Sequence, residues 1–417
     1  MNQDAANKED NRTRVLRTIW EAGEVSRASL SREIGLAPST VSVIVQDLLD
    51  DGLVAISHVA PSRGGRPPVV LRFSTERFAF MGVDIGASHV RVALMNAQGT
   101  LLTSDGMDYP VEDDPQGALE LIERLALPSL TGDADHPTVV GIGLSVPSPL
   151  DPRNPDQLSA RILPRWADVP VLSRVKRFTN LPVWIDNDAN VGALAEHWWG
   201  AGRGSSDMAY IKVATGVGAG LVINGQVFRG SAGVAGEIGH TAIDSSGPLC
   251  RCGLYGCLEA MVGASSLRRE IALRLERGET SVLSRVDPAP EQIATAARAA
   301  DPLARDVLSV AGGYLGTAVA NLVNLLNPAK VILGGSLPVL AGEHLLAPMR
   351  AALAMRTLGR SFDATEVVVS ELGEDAMVLG AATQVLEAAL QSPSLLARLP
   401  SLPTLTNPTA VLLTRGV

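Results

Sequence analysis

The sequence predicts an α/β chain of two unequal parts, a small N-terminal winged helix-turn-helix and a larger two-lobed domain with a structural metal site. Three observations carry this. An amphipathic helix opened by Pro38 follows the glycine turn at Gly35, strand–turn–strand units recur near Asp84 and Thr215, and all three cysteines crowd between Cys250 and Cys257, shortly after His240.

A length of 417 residues with 46% hydrophobic content supports more than one packed core, divided here as 1–75, 76–390 and 391–417. Net charge is −9, yet residues 1–75 balance nine Lys/Arg against nine Asp/Glu, so any DNA contact must come from a local face. Met1-Asn2-Gln3-Asp4 lacks the apolar core of a signal peptide, and no uninterrupted apolar run approaches a membrane span. With its thiols assigned to metal, the chain is expected in the cytoplasm, with no membrane partner.

Val15, Leu16, Ile19 and Trp20 recur at helical spacing, and Ser26 is placed to cap a second helix bearing Leu30 and Ile34. Gly35-Leu36 makes the turn into a third helix, whose apolar face is Val41, Ile44, Val45, Leu48 and Leu49. Proline suits the first helical position, while Ala37 offers no capping oxygen. Ser39, Thr40, Ser42, Val43 and Gln46 then face outward, as a helix entering a major groove requires. Hydroxyls there reach phosphates, and Gln46 can pair with an adenine edge. Strands over Leu53–Val59 and Val69–Phe73 flank Arg63-Gly64-Gly65-Arg66-Pro67-Pro68, a wing whose Arg63 and Arg66 suit a narrow minor groove or, on the blander reading, a solvated linker.

The next segment reads as strand, turn, strand, turn, strand: Phe80–Ile85, Val90–Met95, then Leu101 onward, with Asp84-Ile85-Gly86 at the first bend. Met208–Val213 and Gly220–Ile223 form a second pair around Thr215-Gly216-Val217-Gly218, and Asn224-Gly225 marks a hairpin. Gly334-Gly335 ends a third strand, Val331–Leu333. Two such units predict a duplicated fold whose lobes face each other across a cleft. Asp186-Asn187-Asp188 follows the strand Val183–Ile185 and opens a helix running to Trp199, where a carboxylate can accept a hydroxyl proton or simply cap the helix.

An odd number of clustered thiols fits a disulfide scheme poorly and a Cys₃His zinc site well: Cys250, Cys252, Cys257 and His240 supply four ligands and leave no open position, so the zinc is structural. Gly239-His240, six residues, Gly247, two residues, then Cys-x-Cys-Gly-x-x-Gly-Cys-x-Glu to Glu259 resembles the signature of the ROK family of repressors and sugar kinases. The resemblance runs over residues 12–390 and implies the actin-like ATPase architecture, with residues 12–73 similar to the winged domain of its repressor branch.

By that resemblance Asp188 matches the kinases' catalytic base, and Asn187, Asp188, Glu237, His240 and Glu259 match positions that hold sugar hydroxyls. Asp84, Gly86, Ser88, Thr215 and Gly216 match the phosphate turns, and Gly334-Gly335 the adenosine-side loop. The chain also departs from the kinase pattern. Ala87 and His89 stand where the first loop has Gly-Thr-Lys character, Ala214 replaces a glycine, and Ser148 replaces the middle glycine of Gly-x-Pro-Gly-Pro. These changes weigh against ATP as a cofactor, although Asp84, Ser88 and Thr215 keep polar groups that a nucleotide uses.

Helical periodicity covers Leu119–Ala126, Ser266–Arg277, Glu291–Ala300, Leu303–Leu326 and Ala376–Leu390, all read as packing or oligomer helices. His58, His89, His136, His197 and His344 have no metal-spaced partner and read as surface or core residues, and the tail from Gln391 reads as weakly ordered or partner-dependent. The expected function is a sugar-responsive, DNA-binding transcriptional regulator, a homodimer on a two-fold operator with a sugar or sugar-phosphate effector. The alternatives are an ATP-dependent sugar kinase carrying a DNA-binding domain, and a zinc-stabilised interaction protein.

Overall fold

The computed structural model of the chain describes residues 3–59, 69–131, 136–283 and 288–397. The N-terminal domain is built from α1 (Gln3–Ala22), β1 (Glu24–Ser26), α2 (Arg27–Ile34), α3 (Pro38–Asp50), β2 (Val54–Val59) and β3 (Val69–Phe73). Ser26 Oγ accepts from the Ser29 amide at 3.2 Å and caps α2, which Gly35 ends in the left-handed region at φ 75°. Ala37 makes no capping bond, and Pro38 starts α3 without one. Val41, Ile44, Val45 and Leu48 are buried, while Leu49 packs at the edge of that core. The sheet has three strands in the order β1-β3-β2, one more than the two-stranded wing expected. Three residues are too short to show a hydrophobic period, so β1 was not legible. Arg63 and Arg66 lie outside the described residues.

Each lobe of the larger domain repeats one sheet plan. In the first, β4 (Phe78–Ile85), β5 (His89–Asn96) and β6 (Leu101–Asp108) form an antiparallel meander; α4 (Pro115–Leu130) leads to β7 (Thr138–Val146), and α5 (Val171–Val175) to β8 (Val183–Asn187), the order being β6-β5-β4-β7-β8. β4–β7 and β7–β8 run parallel. Then α6 (Asp188–Trp198) crosses to the second lobe, where β9 (Met208–Val213), β10 (Val217–Ile223) and β11 (Gln226–Val227) make the matching meander. After α7 (Leu258–Val262), α8 (Ala264–Glu276), α9 (Pro290–Arg298) and α10 (Pro302–Leu326) come β12 (Lys330–Gly334), α11 (Ser336–Ala341), α12 (Glu343–Arg356), α13 (Gly359–Ala364) and β13 (Glu366–Val369). The order is β11-β10-β9-β12-β13, again antiparallel then parallel, as the duplicated-fold expectation requires. Val217 and Gly218 belong to β10 and not to the bend, which narrows to residues 214–216.

The closing helix α14 (Ala376–Gln391) lies on the first sheet at close range. Gly82 and Gly143 permit this, because a Cβ on either would fall on the backbone carbonyl of Val378 or Ala381. Gln391 belongs to this helix, and α15 (Ser394–Ala397) buries Leu396; the rest of the expected tail lies outside the described residues. α10 is long and apolar enough by composition to cross a membrane, which qualifies the sequence reading that nothing approaches a span. It is a core helix here, burying Leu315, Val319 and Val323 beside α12.

One core was not expected at all. Val15, Leu16, Ile19 and Leu48 of the winged domain share a cluster with Phe78, Phe80, Leu386 and Leu390 of the larger domain. Trp20 Nε1 donates to Ala97 O at 2.8 Å, Arg77 Nη1 to Asp51 O at 2.6 Å, and Thr13 Oγ1 to Gln391 O at 3.4 Å. The DNA-binding-type domain is thus packed onto the first lobe, not tethered to it.

Candidate functional site

Strand ends set the site. β4, β8 and β9 all finish at the gap between the lobes, so the residues at their carboxyl ends converge there, where ligands of α/β folds collect. A cavity of ≈ 840 Å³ opens at this point, lined by Asp84, Ser88, Asn187, Asp188, Thr215, Gly216, Glu237, His240, Glu259 and Gly335. Gly86 and Gly334 do not line it. Both are buried packing glycines: a Cβ on Gly86 would collide with the His89 ring, and one on Gly334 with the Tyr210 phenol.

The helix start at α6 is held by its own side chains. Asn187 Oδ1 and Asp188 Oδ1 both accept from the Ala189 amide, at 2.9 and 2.8 Å, and Asn187 Nδ2 donates to Ser148 O at 3.3 Å. Beneath them Asp186 accepts from Asn190 Nδ2 at 2.9 Å and from Arg229 Nε at 2.7 Å. The other carboxylate oxygen of Asp188 accepts from Lys212 Nζ at 2.5 Å. Lys212 reaches from β9 and is well buried; burial opposes its charge, but Asp188 and then Asp84 outweigh this and raise its pKa. Asp84 is held by Ser145 Oγ at 2.8 Å and His89 Nε2 at 2.9 Å. Burial alone would push the Asp84 carboxyl up, yet His89 and Lys212 hold it below the usual carboxylate range.

Across the cavity, Glu259 Oε2 accepts from the Val217 amide at 3.1 Å. Glu237 is pushed up to about 7, first by burial and then by the charges of Asp188 and Glu259. A carboxyl poised in this way both donates and accepts near neutrality, matching a hydroxyl group.

A cluster of His and Cys side chains that could hold a metal ion stands directly behind this wall. Ligand atoms of His240, Cys250, Cys252 and Cys257 lie within 4.8 Å of one another, with Cys252 Sγ–Cys257 Sγ and Cys250 Sγ–His240 Nδ1 both at 3.7 Å. A tetrahedron with metal–sulfur bonds of about 2.3 Å has edges of about 3.8 Å, so the donor set fits a tetrahedral ion. Gly256, at φ 69°, allows the turn, since a Cβ there would strike Asp244 O. The Nδ1 of His240 faces the sulfurs while Nε2 lies 3.8 Å from Glu237 Oε2 in the cavity. The thiol cluster and the cavity therefore share one imidazole.

On the N-terminal domain, Ser39, Thr40, Val43 and Gln46 are exposed along one side of α3. Ser42 is half-buried and its hydroxyl donates to Pro38 O at 2.8 Å, while Gln46 Nε2 donates to Asp50 Oδ1 at 2.8 Å. Sequence reasoning missed Lys212 and set His89 aside. The available signal was a lone lysine in the otherwise apolar strand Met208-Ala-Tyr-Ile-Lys-Val.

Residues 80–388 match the ROK family, and residues 8–55 match a winged helix-turn-helix DNA-binding family. The chain belongs to the ROK family. It is 34% identical over 391 residues to the xylose repressor of Caldicellulosiruptor bescii, covering 93% of this chain and 98% of that one. A glucokinase of Halalkalibacterium halodurans is also 34% identical, over 315 residues, covering 72% of this chain and 93% of the kinase. Among solved structures, a ROK family transcriptional regulator described as a homologue of the Escherichia coli Mlc protein superposes with a TM-score of 0.80 at 31% identity, covering 93% of this chain and 98% of that one. This ROK protein thus aligns with regulators over nearly its whole length, and with the kinase over a smaller share.

Proposed function

We propose that this ROK protein reads sugar in the inter-lobe cavity and passes the signal to its winged domain through α6. The chain is a sugar-responsive DNA-binding repressor. One observation supports the route. α6 begins with Asp188 in the cavity and ends at Trp198 and Trp199, whose rings lie 5.1 and 6.3 Å from Trp20 of α1. A ligand that draws Asn187 and Asp188 toward its hydroxyls moves a helix whose far end meets the DNA-binding domain at Trp20. Such coupling requires unequal affinity for two arrangements of the domains.

In this reading residues 1–75 bind a two-fold operator as a homodimer through Ser39, Thr40, Ser42, Val43, Gln46 and the wing. Residues 76–390 hold the sugar through Asn187, Asp188, Glu237, His240 and Glu259. Zinc at His240, Cys250, Cys252 and Cys257 keeps the far wall in place from behind, and the protein works in the cytoplasm. The assay is operator binding by the full chain against a panel of sugars. An affinity unchanged by every sugar would sink the reading.

The second reading, an ATP-dependent sugar kinase, draws on the glucokinase relative and on the retained Asp188. A coupled ATP assay separates the two, because turnover abolished by Asp188→Asn would favour the kinase.

A further inference from the structure

We propose that the cavity selects an uncharged sugar over its phosphate ester because Lys212 is already paired with Asp188. This rests on the cavity being the sugar site, as read above. Lys212 Nζ meets Asp188 at 2.5 Å, and its charge also acts on Asp84 of the facing strand. Both oxygens of each carboxylate are engaged within the protein: Asp84 by Ser145 and His89, Asp188 by Lys212 and the Ala189 amide. The His89 ring also lies against Gly86, covering the first glycine turn. The polar groups that could meet a phosphate between these two strand ends are therefore satisfied by one another.

Charge around the rest of the cavity points the same way. Among the described residues lining it, carboxylates outnumber lysines and arginines eight to three. Those three cations are all paired: Lys212 with Asp188, Arg91 with Glu374 at 2.8 Å and Asp375 at 3.0 Å, and Arg251 with Glu112 at 3.5 Å. A phosphate ester entering here meets an excess of like charge and must displace an internal ion pair to gain a partner. A neutral polyol meets carboxylates and amides suited to its hydroxyls. The Lys212–Asp188 pair thus denies a phosphate the cation it would need.

The test titrates the full-length protein calorimetrically with neutral monosaccharides and with the phosphate ester of each. The wild-type protein is expected to bind a parent sugar at least tenfold more tightly than its ester. An ester that binds as tightly as its parent, or more so, overturns the proposal without any variant being made. Asp188→Asn, which frees Lys212, should narrow that preference at least tenfold, read as the ratio of the parent and ester affinities of the same variant. If Lys212→Met weakens only the ester, the lysine is a phosphate ligand and the proposal is wrong. If neither sugars nor esters bind, the sugar-binding reading fails and this proposal fails with it. If parent sugars bind with the expected preference but Asp188→Asn leaves the ratio unchanged, the selectivity has another source and the assignment to the Lys212–Asp188 pair falls.

Discussion

The indole of Trp20, on the first helix of the chain, lies 5.1 Å from that of Trp198, at the far end of the helix that Asp188 begins. Trp199 closes the group, 5.8 Å from Trp198, and donates through Nε1 to Thr383 Oγ1 at 2.7 Å. Aromatic pairs at such distances add about 1 kcal/mol beyond burial, so the cluster adds to the aliphatic core that joins the two domains.

Replacing Trp20 by Ala removes both ring contacts and the bond to Ala97 O. The expected result is retained operator binding with most of the sugar response gone, a loss of coupling of about 1–2 kcal/mol. Gel-shift titrations with and without the sugar that alters operator binding check this; a full response in Trp20→Ala would place the coupling elsewhere.

Cys252→Ser takes one sulfur from the cluster. Metal content measured by mass spectrometry should fall from one ion per chain to near zero, and sugar affinity should drop because His240 loses its anchor. Zinc content equal to that of the wild type would refute the site. Chelation of the wild-type protein should reproduce the loss of affinity.

Asp84 supplies a pH signature. Its carboxyl is held below the usual range, so the folded state favours the ionised form; that stability is present above the ordinary value of 3.8 and is lost as pH falls below it. Asp84→Asn should therefore be less stable than wild type at pH 7, by about 3–5 kcal/mol, with the gap closing on acidification. Urea unfolding at several pH values reads this, and a gap that widened in acid would contradict the pairing with Lys212 and His89.

Arg63→Ala with Arg66→Ala tests the wing. If these arginines lie along DNA phosphates, operator affinity falls and the slope of log K against log salt flattens by about two or less. Unchanged affinity would make the segment a linker only.

Short-range spacing was readable without coordinates. The Cys250–Cys257 cluster, the Ser26 cap, the Pro38 helix start and the glycine bends near Asp84 and Thr215 each express a constraint between residues a few positions apart, and residue type alone announces it. The same holds for Asn187 and Asp188 at a strand end. The short strand β1 and the helix α12 were among the elements missed, the first for want of length and the second because Ala351, Ala354 and Met355 make its outward face apolar as well.

Tertiary structure alone decided the rest. That Lys212 answers Asp188, 24 residues away, and that Trp20 reaches Ala97, 77 residues away, follows from how the strands and helices stack, not from any local period. A lysine in an apolar strand states that a counter-charge is needed without saying which one, and a tryptophan states that a surface is to be covered without saying whose. Partners of that kind are chosen by packing, because only the assembled fold sets which buried charge or ring lies within reach.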